Sequence, residues 1–563
     1  MTSPADLKMT IGELLDRQAK LFGDRDALVH VDWNIRYNWS QFKEECDRVA
    51  RGLISLGIGK GDHVALWATN YPEWVVAQFA TAQIGAVLVT VNPAYRTHEL
   101  EYLLRQSDAA ALMLIGNFRT SDYVGMLQEV VPELAASTPR QLHCEKLPNL
   151  RNVVFIQPHD GSSVEAPAGM IAWSSLRDLG EEITPAALDQ REAECHPDDV
   201  ICIMYTSGTT GNPKGVMLTH HNLVANAAYT REGLRFTEED RLCIPVPFYH
   251  CFGSVLGTLC CATAAAAMVV PSEYFEPEKA LVAVEKERCT AIHGVPTMFI
   301  AELEHEEFDR FDLGSLRTGI MAGSPCPIEV MRQVIDRMGC REMTVGYGLT
   351  EAAPIITLTR SDDGIDRRVS TVGTAIPYVE VKIVDPDTGI EVPTGVQGEL
   401  CSRSFMNMKG YYKMPEATEA AIDADAWLHT GDLATVDADG YYKITGRSKD
   451  MIIRGGENVY PREIEEFLYT NPKVADVQVI GVPDLRFGEE IMAWVMLRAG
   501  QEASEDEIRD FCRDRIAHYK VPRYVKFVSE FPMTVTGKIQ KYVMRDISIQ
   551  ELQLESAESI ETA

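Results

Sequence analysis

A stretch rich in glycine and hydroxyl residues with one lysine, residues 205–215, carries the most specific chemical signal in the sequence. It follows Val200–Met204, a short apolar run that predicts a buried strand, and it precedes Thr219, a candidate helix N-cap. Glycines let backbone N–H groups approach an anion, hydroxyls add donors, and lysine adds a charge suited to phosphate. The common phosphate loop G-x-x-x-x-G-K-[ST] does not match, because the first two glycines are too close together and the lysine precedes glycine. We therefore expect a loop that grips a polyphosphate, rather than a flexible polar turn, through Thr206, Ser207, Gly208, Thr209, Thr210, Gly211 and Lys214.

This stretch resembles the signature loop of the adenylate-forming superfamily, which includes acyl-CoA synthetases, peptide-synthetase adenylation domains and beetle luciferases. Further motifs in the family order extend the resemblance over nearly the whole chain, and residues 92–96 are similar to fatty-acyl-CoA ligases of the medium-chain type. The resemblance implies that a carboxylate attacks the α-phosphate of ATP, giving an acyl-adenylate and pyrophosphate. A thiol, usually that of coenzyme A, then takes the acyl group. The resemblance therefore implies Mg²⁺ as a cofactor and ATP and coenzyme A as co-substrates.

Gly346–Glu351 resembles the adenine and magnesium motif of that family. Gly346 and Gly348 would form the turn and Tyr347 would lie against adenine, while Thr350 would meet the α-phosphate and Glu351 would hold Mg²⁺. A hard cation prefers oxygen ligands from one or two carboxylates and from phosphate. On its own, Glu351 would be interpreted as a solvated loop acid. A second loop resembles one that lines the adenine in relatives, and it contributes Gly323, Ser324 and Pro325.

Two further motifs bear on the ribose and on domain movement. Asp432, in Trp427–Asp432, would accept hydrogen bonds from both ribose hydroxyls, and an ionised carboxylate is a strong acceptor for them. Arg447 would bind ribose or phosphate, and Lys449 is at the position of the family's interdomain hinge. Without the resemblance, both cations would be interpreted as an exposed basic turn.

The last motifs concern the thiol and the adenylation step. Gly455 and Gly456 match a family motif that flanks the coenzyme A tunnel, although a Gly-Gly pair alone predicts only a turn before a helix. Lys538 matches the family's adenylation lysine, which would stabilise negative charge on the carboxylate and α-phosphate in the transition state. Met533 departs from the basic residue that relatives often carry there. The catalytic residues that the resemblance implies are Lys538, Thr350, Glu351 and His250.

His250 bears on the substrate. Acyl-activating relatives have a histidine beside the acyl carboxylate, whereas amino-acid-activating relatives have an aspartate that pairs with the ammonium group. The residues that follow are small or apolar and include no cation that could pair with a second carboxylate. We therefore expect an uncharged acyl chain, of medium length, in a pocket formed by His250, Cys251, Phe252, Gly253 and Ser254.

Composition limits the partners. The chain has 563 residues and a net charge of −30, which argues against nucleic acid or an anionic membrane as a bulk partner. Its 13 cysteines are scattered without zinc-like spacing, which is typical of reduced thiols in the cytoplasm. The start of the chain lacks the features of a signal peptide. The expected partners are therefore a small carboxylic acid, ATP and coenzyme A, with the oligomeric state left open.

Residues 251–272 contain no charged side chain, over about the length of a membrane span. Glycine, threonine and alanine are frequent there and large aliphatic residues are few. We interpret the segment as a buried helix followed by a buried strand at Ala265–Val270. A transmembrane helix is the alternative.

The order of the elements predicts an α/β fold. Strands alternate with helices over the first hundred residues and again after residue 200, which is typical of mostly parallel sheets with right-handed crossovers. From Tyr378 the period changes to two, which predicts a small antiparallel, barrel-like unit. We expect a large domain over residues 1–448, a small mobile α+β domain over 449–545, and an acidic, frayed tail over 546–563.

These observations favour an ATP-dependent acyl-CoA ligase. The alternative is a stand-alone adenylation enzyme that loads a separate carrier protein, since too few residues follow Arg545 for a fused carrier domain. A luciferase-type oxygenase is a weaker alternative. A binding module without catalysis is the weakest, because Lys538 and Glu351 would then have no role.

Overall fold

A computed structural model of the chain describes residues 2–159, 161, 164–206, 213–323, 326–447, 450–454, 457–484, 487–513, 516, 518–534 and 537–554. Strands and helices alternate over most of the chain up to residue 375, and the sequence predicts this pattern for the first hundred residues and again after residue 200. The helices are α1 Ile11–Phe22, α2 Trp39–Ser55, α3 Pro72–Gln83, α4 Thr97–Gln106, α5 Tyr123–Val130, α6 Trp173–Leu179, α7 Pro185–Ala193, α8 His220–Leu234, α9 Cys260–Ala264, α10 Pro277–Glu287, α11 Pro296–Leu303, α12 Ile328–Arg337, α13 Ile365–Ser370, α14 Pro415–Ala421, α15 Pro461–Tyr469, α16 Glu505–Cys512 and α17 Lys541–Glu551.

One sheet carries the strand before the phosphate loop. Its order is β21-β11-β10-β4-β3-β5-β8-β9, and the strands from β10 to β9 are parallel. The members are β3 His63–Trp67, β4 Val87–Thr90, β5 Ala109–Leu114, β8 Asn152–Phe155, β9 Ile171–Ala172, β10 Val200–Thr206, β11 Lys214–Thr219 and β21 Gly410–Tyr411. Strands β6 Asn117–Phe118 and β7 Ser121–Asp122 form a separate small hairpin.

A second sheet carries the adenine motif. Its order is β18-β17-β16-β15-β14-β12-β13-β1-β2, parallel from β16 to β1 and antiparallel at both edges. The members are β1 Asp26–His30, β2 Ile35–Asn38, β12 Arg241–Cys243, β13 Ala267–Val270, β14 Ala291–Gly294, β15 Thr318–Met321, β16 Glu342–Gly348, β17 Ile355–Leu358 and β18 Thr374–Ala375. Parallel strands that are covered on both faces are continuous apolar runs. In this sheet β13 Ala267–Val270 is buried at every position, as β5 Ala109–Leu114 is in the first sheet.

The connection after the phosphate loop differs from the prediction. The loop joins two antiparallel strands, β10 and β11, and only then does α8 begin. The apolar run Val216–Leu218 is the cause, because it continues the sheet between β10 and β21. The predicted N-cap is confirmed: the Thr219 side chain accepts from the Asn222 backbone N–H, and Asn222 returns a bond to the Thr219 N–H.

Proline shortens one predicted strand. The sequence predicts a strand through Val246, but β12 ends at Cys243, two residues before Pro245, which lacks the N–H that a ladder needs. The uncharged segment 251–272 forms a buried π-helical turn at Phe252–Leu259, then α9 and β13. Among the described residues, no helix has the length and apolar character needed to cross a membrane.

The antiparallel unit is confirmed after residue 378. Its sheet has the order β19-β20-β22-β23, with β19 Glu380–Val384, β20 Gly398–Arg403, β22 Leu428–Val436 and β23 Tyr442–Arg447. Every neighbouring pair in this sheet is antiparallel.

The C-terminal part has its own sheet and its own apolar clusters. The strands are β24 Ile452–Arg454, β25 Glu457–Val459, β26 Val474–Asp484, β27 Gly488–Leu497 and β28 Tyr524–Phe527. One cluster includes Ile464, Val477 and Val495, and a second includes Trp494 and Met544. Separate cores support the predicted small domain, while its limits at residues 449 and 545 remain predictions.

The expectation of fraying from Asp546 is wrong for residues 546–554. Helix α17 continues to Glu551, and its Met544 and Ile549 are buried against the C-terminal sheet. The Trp494 indole N–H also donates to Ser548 Oγ, at 3.0 Å. Acidic composition misled the prediction, because the apolar face of this helix is sufficient to bury it. Residues 555–563 lie outside the described residues. The apolar pattern over residues 505–516 predicts a helix of that length, but α16 ends at Cys512.

Candidate active site

A tight turn after β16 holds the paired residues Thr350 and Glu351. The turn spans Thr350–Ala352, and both side chains are buried. Gly348 brings two backbone segments together, since a Cβ built on it would be 1.9 Å from the Pro354 carbonyl oxygen. Asn226 of α8 fixes the far side by donating to the Ala352 and Ile355 carbonyls and accepting from the Ile355 N–H. Contacts within the protein therefore hold this turn on both sides.

Glu351 is linked to the phosphate-loop hairpin. The Tyr411 hydroxyl, in β21, donates to Glu351 Oε1 at 2.7 Å. Lys214 Nζ lies 5.0 Å from the centre of the same tyrosine ring. Burial and then the adjacent Glu351 carboxylate raise the pKa of Tyr411, so its hydroxyl keeps its proton and can donate. This brings together the lysine of one predicted motif and the acid of another.

Thr350 and His250 both lie close to the thiol of Cys251. The Cys251 thiol lies 3.8 Å from Thr350 Oγ1 and 3.6 Å from His250 Nδ1. Burial, and then the nearby Lys538 cation, lower the pKa of His250 to about 4. The imidazole is therefore neutral near pH 7, and the positive charge at this point comes from Lys538.

The π-helical turn Phe252–Leu259 forms an apolar wall beyond His250. Its residues are all buried. His293 of β14 holds this wall: its Nε2 lies 3.1 Å from the Leu256 carbonyl oxygen, and its Nδ1 accepts from the Ile320 N–H at 3.2 Å. Such turns are rare and are often found at functional sites. Cys251 and Gly253 are buried together with Phe252 and Ser254, and their role as an acyl pocket stays a prediction.

Tyr347 and Asp432 are in direct contact. The Tyr347 hydroxyl donates to Asp432 Oδ2 at 2.8 Å, which joins the parallel sheet to β22 of the antiparallel unit. Asp432 is buried, and its backbone N–H donates to Thr430 Oγ1. The predicted adenine and ribose residues thus form one surface.

The Lys538 turn docks onto the large domain. Its ends are tied by bonds between Thr534 and Lys538 in both directions, and Gly537 has a φ of +77°. Thr297 Oγ1 donates to the Gly537 carbonyl at 3.3 Å. Val295 lies against both Gly537 and Gly323, since a Cβ on either glycine would be within 3.1 Å of it. The adenine loop and the lysine turn therefore meet at one residue.

Several predicted residues lie outside the described part of the chain. They are Ser207, Gly208, Thr209, Thr210, Gly211, Ser324, Pro325, Lys449, Gly455 and Gly456. Arg447 is described by its backbone, which pairs with Asp432 across β22 and β23. The structure brings together Thr206, Lys214, His250, Thr350 and Glu351 around the phosphate hairpin, with Tyr347 and Asp432 on the adjoining surface.

The sequence analysis missed Tyr411, Asn226 and Thr297. Tyr411 follows Gly410 in the sequence, but nothing in that pattern predicts a bond to Glu351. The Gly294–Thr297 stretch carries a helix-start signal, with proline at the first turn of α11. Its contact with Gly537 depends on the packing of two domains, which no local pattern encodes.

Comparison with known proteins decides the family. The model of the AMP-binding enzyme family matches residues 15–412, and that of the AMP-binding enzyme C-terminal domain matches residues 463–538. The chain belongs to the AMP-binding enzyme family. YngI of Bacillus subtilis (strain 168), named as an acyl-CoA synthetase, is 54% identical over 549 residues, covering 98% of this chain and 99% of the relative. The mitochondrial medium-chain acyl-CoA ligase ACSF2 of Danio rerio is 43% identical over 552 residues, covering 97% and 89%.

Solved structures of this family share the fold. The anthranilate CoA ligase AuaEII in complex with anthranoyl-AMP has a TM-score of 0.85 and 28% identity, covering 98% of this chain and 100% of that one. ATP-bound MatB from Rhodopseudomonas palustris has a TM-score of 0.80 and 29% identity, covering 96% and 99%. The AMP-binding enzyme described here is therefore an AMP-forming acid–thiol ligase of the acyl-CoA synthetase type.

Proposed function

We propose that this AMP-binding enzyme activates a medium-chain fatty acid with ATP and transfers the acyl group to coenzyme A. In the first step a carboxylate oxygen bonds to the α-phosphorus of ATP, and the bond to the bridging oxygen breaks, releasing pyrophosphate. In the second step the thiol sulfur bonds to the acyl carbon, the thiol proton leaves to solvent, and AMP departs. The observation that carries the proposal is the convergence of His250, Thr350 and Glu351, with Lys538 close enough to lower the pKa of His250.

Charge is distributed over this site in a way that suits adenylation. Lys538 and Lys214 supply positive charge on two sides, and each can stabilise negative charge that develops on phosphate oxygens. His250 is neutral, so it can donate a hydrogen bond to the acyl carboxylate without holding it as an ion pair. Tyr347 and Asp432 would bind the adenine and ribose.

The donor set around Glu351 fits Mg²⁺. Glu351 offers a carboxylate that is buried and oriented by Tyr411, and hard divalent cations are bound by one or two carboxylates together with phosphate oxygens. When bound, the ion would neutralise phosphate charge. Glu351 would hold it, and Tyr411 would keep the carboxylate in place.

The apolar wall at Phe252–Leu259 supports an uncharged acyl chain. No cation lies among its residues, so a second carboxylate would be buried without a partner, which is costly. Each buried CH₂ contributes about 0.8 kcal/mol, close to fourfold in affinity, until the pocket ends. Relatives named as medium-chain ligases, 40–43% identical over most of their length, support the intermediate length.

A panel of acids from acetate to palmitate tests the proposal. We expect kcat/KM to rise with length, reach a maximum at intermediate chains and fall again, with AMP release dependent on coenzyme A. A maximum on acetate, on a dicarboxylate or on an amino acid would refute the substrate assignment. Adenylate formation with no thioester from coenzyme A, but with acyl transfer to a carrier protein, would refute the thiol assignment.

A further inference from the structure

A cluster of three different metal-binding side chains lies beside Asp432, on strands β20 and β22. Cys401 is directly opposite His429 in the antiparallel register. Glu399 is two residues before Cys401, and alternate residues of a strand project on the same face. Within the described residues, Glu399, Cys401 and His429 form the group whose ligand atoms all lie within 4.8 Å of one another.

The distances in this cluster suit a small tetrahedral ion. His429 Nδ1 lies 2.9 Å from Glu399 Oε2 and 3.5 Å from Cys401 Sγ. Zinc binds nitrogen and oxygen at about 2.0–2.2 Å and sulfur at about 2.3 Å, which separates tetrahedral ligand atoms by roughly 3.3–3.7 Å. The His429–Cys401 distance already falls in this range, and the His429–Glu399 pair needs to open by only a few tenths of an ångström.

A second layer of contacts orients the three side chains. Asp423 Oδ2 lies 3.5 Å from His429 Nε2, while its other oxygen accepts from the Asp425 and Trp427 N–H groups. Glu399 Oε1 accepts from the Gly431 N–H at 2.9 Å, which leaves Oε2 directed at the histidine. A carboxylate behind a histidine is the arrangement that fixes metal-ligating imidazoles in many proteins.

The chemistry of the donors selects the kind of ion. Cys401 is buried, while Glu399 and His429 are half-buried, so this is not a solvated acidic patch. A thiolate and an imidazole favour zinc and similar transition metals over Mg²⁺, which prefers oxygen ligands. Lys382 is opposite Cys401 in β19 and opposes cation binding, but its ammonium lies over the Trp427 ring, 4.4 Å from the centroid. The carboxylates of Glu399 and Asp423 outweigh it.

We propose that Glu399, Cys401 and His429 bind one Zn²⁺-class divalent cation, separate from the Mg²⁺ used with ATP. On binding, the Cys401 thiol releases its proton to solvent, and the neutral imidazole binds through Nδ1 while its Nε2–H donates to Asp423. A water completes the four ligands. The ion links β20 to β22 three residues before Asp432, and so stabilises the strand pair that presents this acid to the nucleotide surface.

Cobalt titration of the metal-free full-length protein tests the proposal. We expect one equivalent of Co²⁺ to produce tetrahedral visible bands and a near-ultraviolet band from thiolate-to-metal charge transfer. Zn²⁺ should displace it, and millimolar Mg²⁺ should not. Cys401→Ser should remove the charge-transfer band, and Glu399→Gln should weaken binding strongly. Asp423→Asn should weaken it about tenfold, as loss of an orienting carboxylate does.

Cys512→Ser is the matched control, because Cys512 is a buried thiol in the C-terminal core. It should keep the wild-type cobalt spectrum. Because Cys401 is buried, its serine variant is first compared with wild type by circular dichroism without metal. If that variant is misfolded, Glu399→Gln decides by itself, since its side chain is partly exposed and keeps its shape. The proposal would be overturned if Co²⁺ does not bind stoichiometrically. It would equally be overturned if Cys401→Ser keeps the charge-transfer band, or if Glu399→Gln binds Co²⁺ with wild-type affinity.

Discussion

Tyr411, which no sequence motif indicates, orients Glu351, which a motif predicts. Its hydroxyl donates to Glu351 Oε1, and a hydrogen bond to a charged group contributes about 1.5–3 kcal/mol. Tyr411→Phe keeps the ring beside Lys214 and removes this bond. We expect adenylation to slow about tenfold and the Mg²⁺ concentration for half-maximal rate to rise. Pyrophosphate release against Mg²⁺ concentration measures both.

The adjacent Tyr412 provides the control. Its hydroxyl donates to Asp108 instead, at 2.9 Å, so Tyr412→Phe loses a similar bond away from Glu351. It should leave the Mg²⁺ dependence unchanged. Equal Mg²⁺ curves for both variants would mean that Tyr411 does not position Glu351.

Lys538 is the residue whose charge adenylation should need most. Lys538→Ala should slow adenylate formation by ~10²–10³, the loss expected for one preorganised transition-state donor. Thioester formation from a supplied acyl-adenylate should be largely retained, since that step no longer involves the α-phosphate transition state. Separate assays of the two half-reactions measure this, and an equal loss in both would show that the lysine is structural.

Glu302 is a buried acid outside the site, and its titration should be visible in stability. Neither carboxyl oxygen has a hydrogen-bond partner, and burial raises the pKa to about 8. Because the folded pKa lies above the unfolded value, its contribution to stability is complete below pH 4.5 and is lost as the pH rises through 8. Glu302→Gln does not titrate. The free energy of unfolding of Glu302→Gln, relative to that of wild type, should therefore increase by up to about 1.4 kcal/mol per pH unit between pH 4.5 and pH 8.

Denaturant unfolding at several pH values measures this difference. The exposed Glu306→Gln is the control and should follow wild type at every pH. A difference between Glu302→Gln and wild type that is constant from pH 5 to 9 would contradict the prediction.

At the scale of elements, the close approach of β16 and β17 sets the position of the Thr350 turn. A Cβ at Gly348 would collide with the Pro354 carbonyl oxygen and carbon, which are backbone atoms and cannot rotate away. Gly348→Ala should therefore shift the turn, lower the melting temperature and reduce adenylation more than tenfold. Gly364→Ala is the control, because nothing lies within 4 Å of its added methyl group. Wild-type adenylation in Gly348→Ala would show that the turn tolerates the shift.

At the scale of the molecule, the small C-terminal domain also contacts the large domain through hydrogen bonds away from the Lys538 turn. The Ile328 N–H donates to Glu466 Oε2 at 3.2 Å, and Arg462 donates to the Ile444 carbonyl at 2.9 Å. These bonds hold the small domain, which carries the Lys538 turn, against the large domain. If coenzyme A transfer requires the small domain to turn, they must break. If Lys449 is the hinge, Lys449→Pro should keep pyrophosphate exchange and lose thioester formation, because proline fixes φ.

The alanine variant separates these effects. Lys449→Ala removes the side chain but leaves φ free, so both half-reactions should continue. The hinge proposal fails if Lys449→Pro makes thioester at the wild-type rate, or if Lys449→Ala loses it equally.

The sequence by itself determined the alternation of strands and helices, the antiparallel unit and the family chemistry. These follow from local patterns: apolar period, proline and glycine positions, and motifs such as Gly346–Glu351 whose residue types suit phosphate and metal. Through the family resemblance of the few residues around each, it also predicted His250, Asp432 and Lys538 as site residues.

Only the tertiary structure decided which of these residues meet. Tyr411 reaches Glu351 because β21 pairs with β11 across nearly two hundred residues of chain, and Thr297 reaches Gly537 across two domains. The tail was misjudged for the same reason, since an acidic composition does not reveal that Met544 of α17 packs in one apolar cluster with Trp494 of β27. Local patterns indicate which secondary structure a segment can form. Contacts between distant segments depend instead on how the apolar faces of helices and sheets pack together.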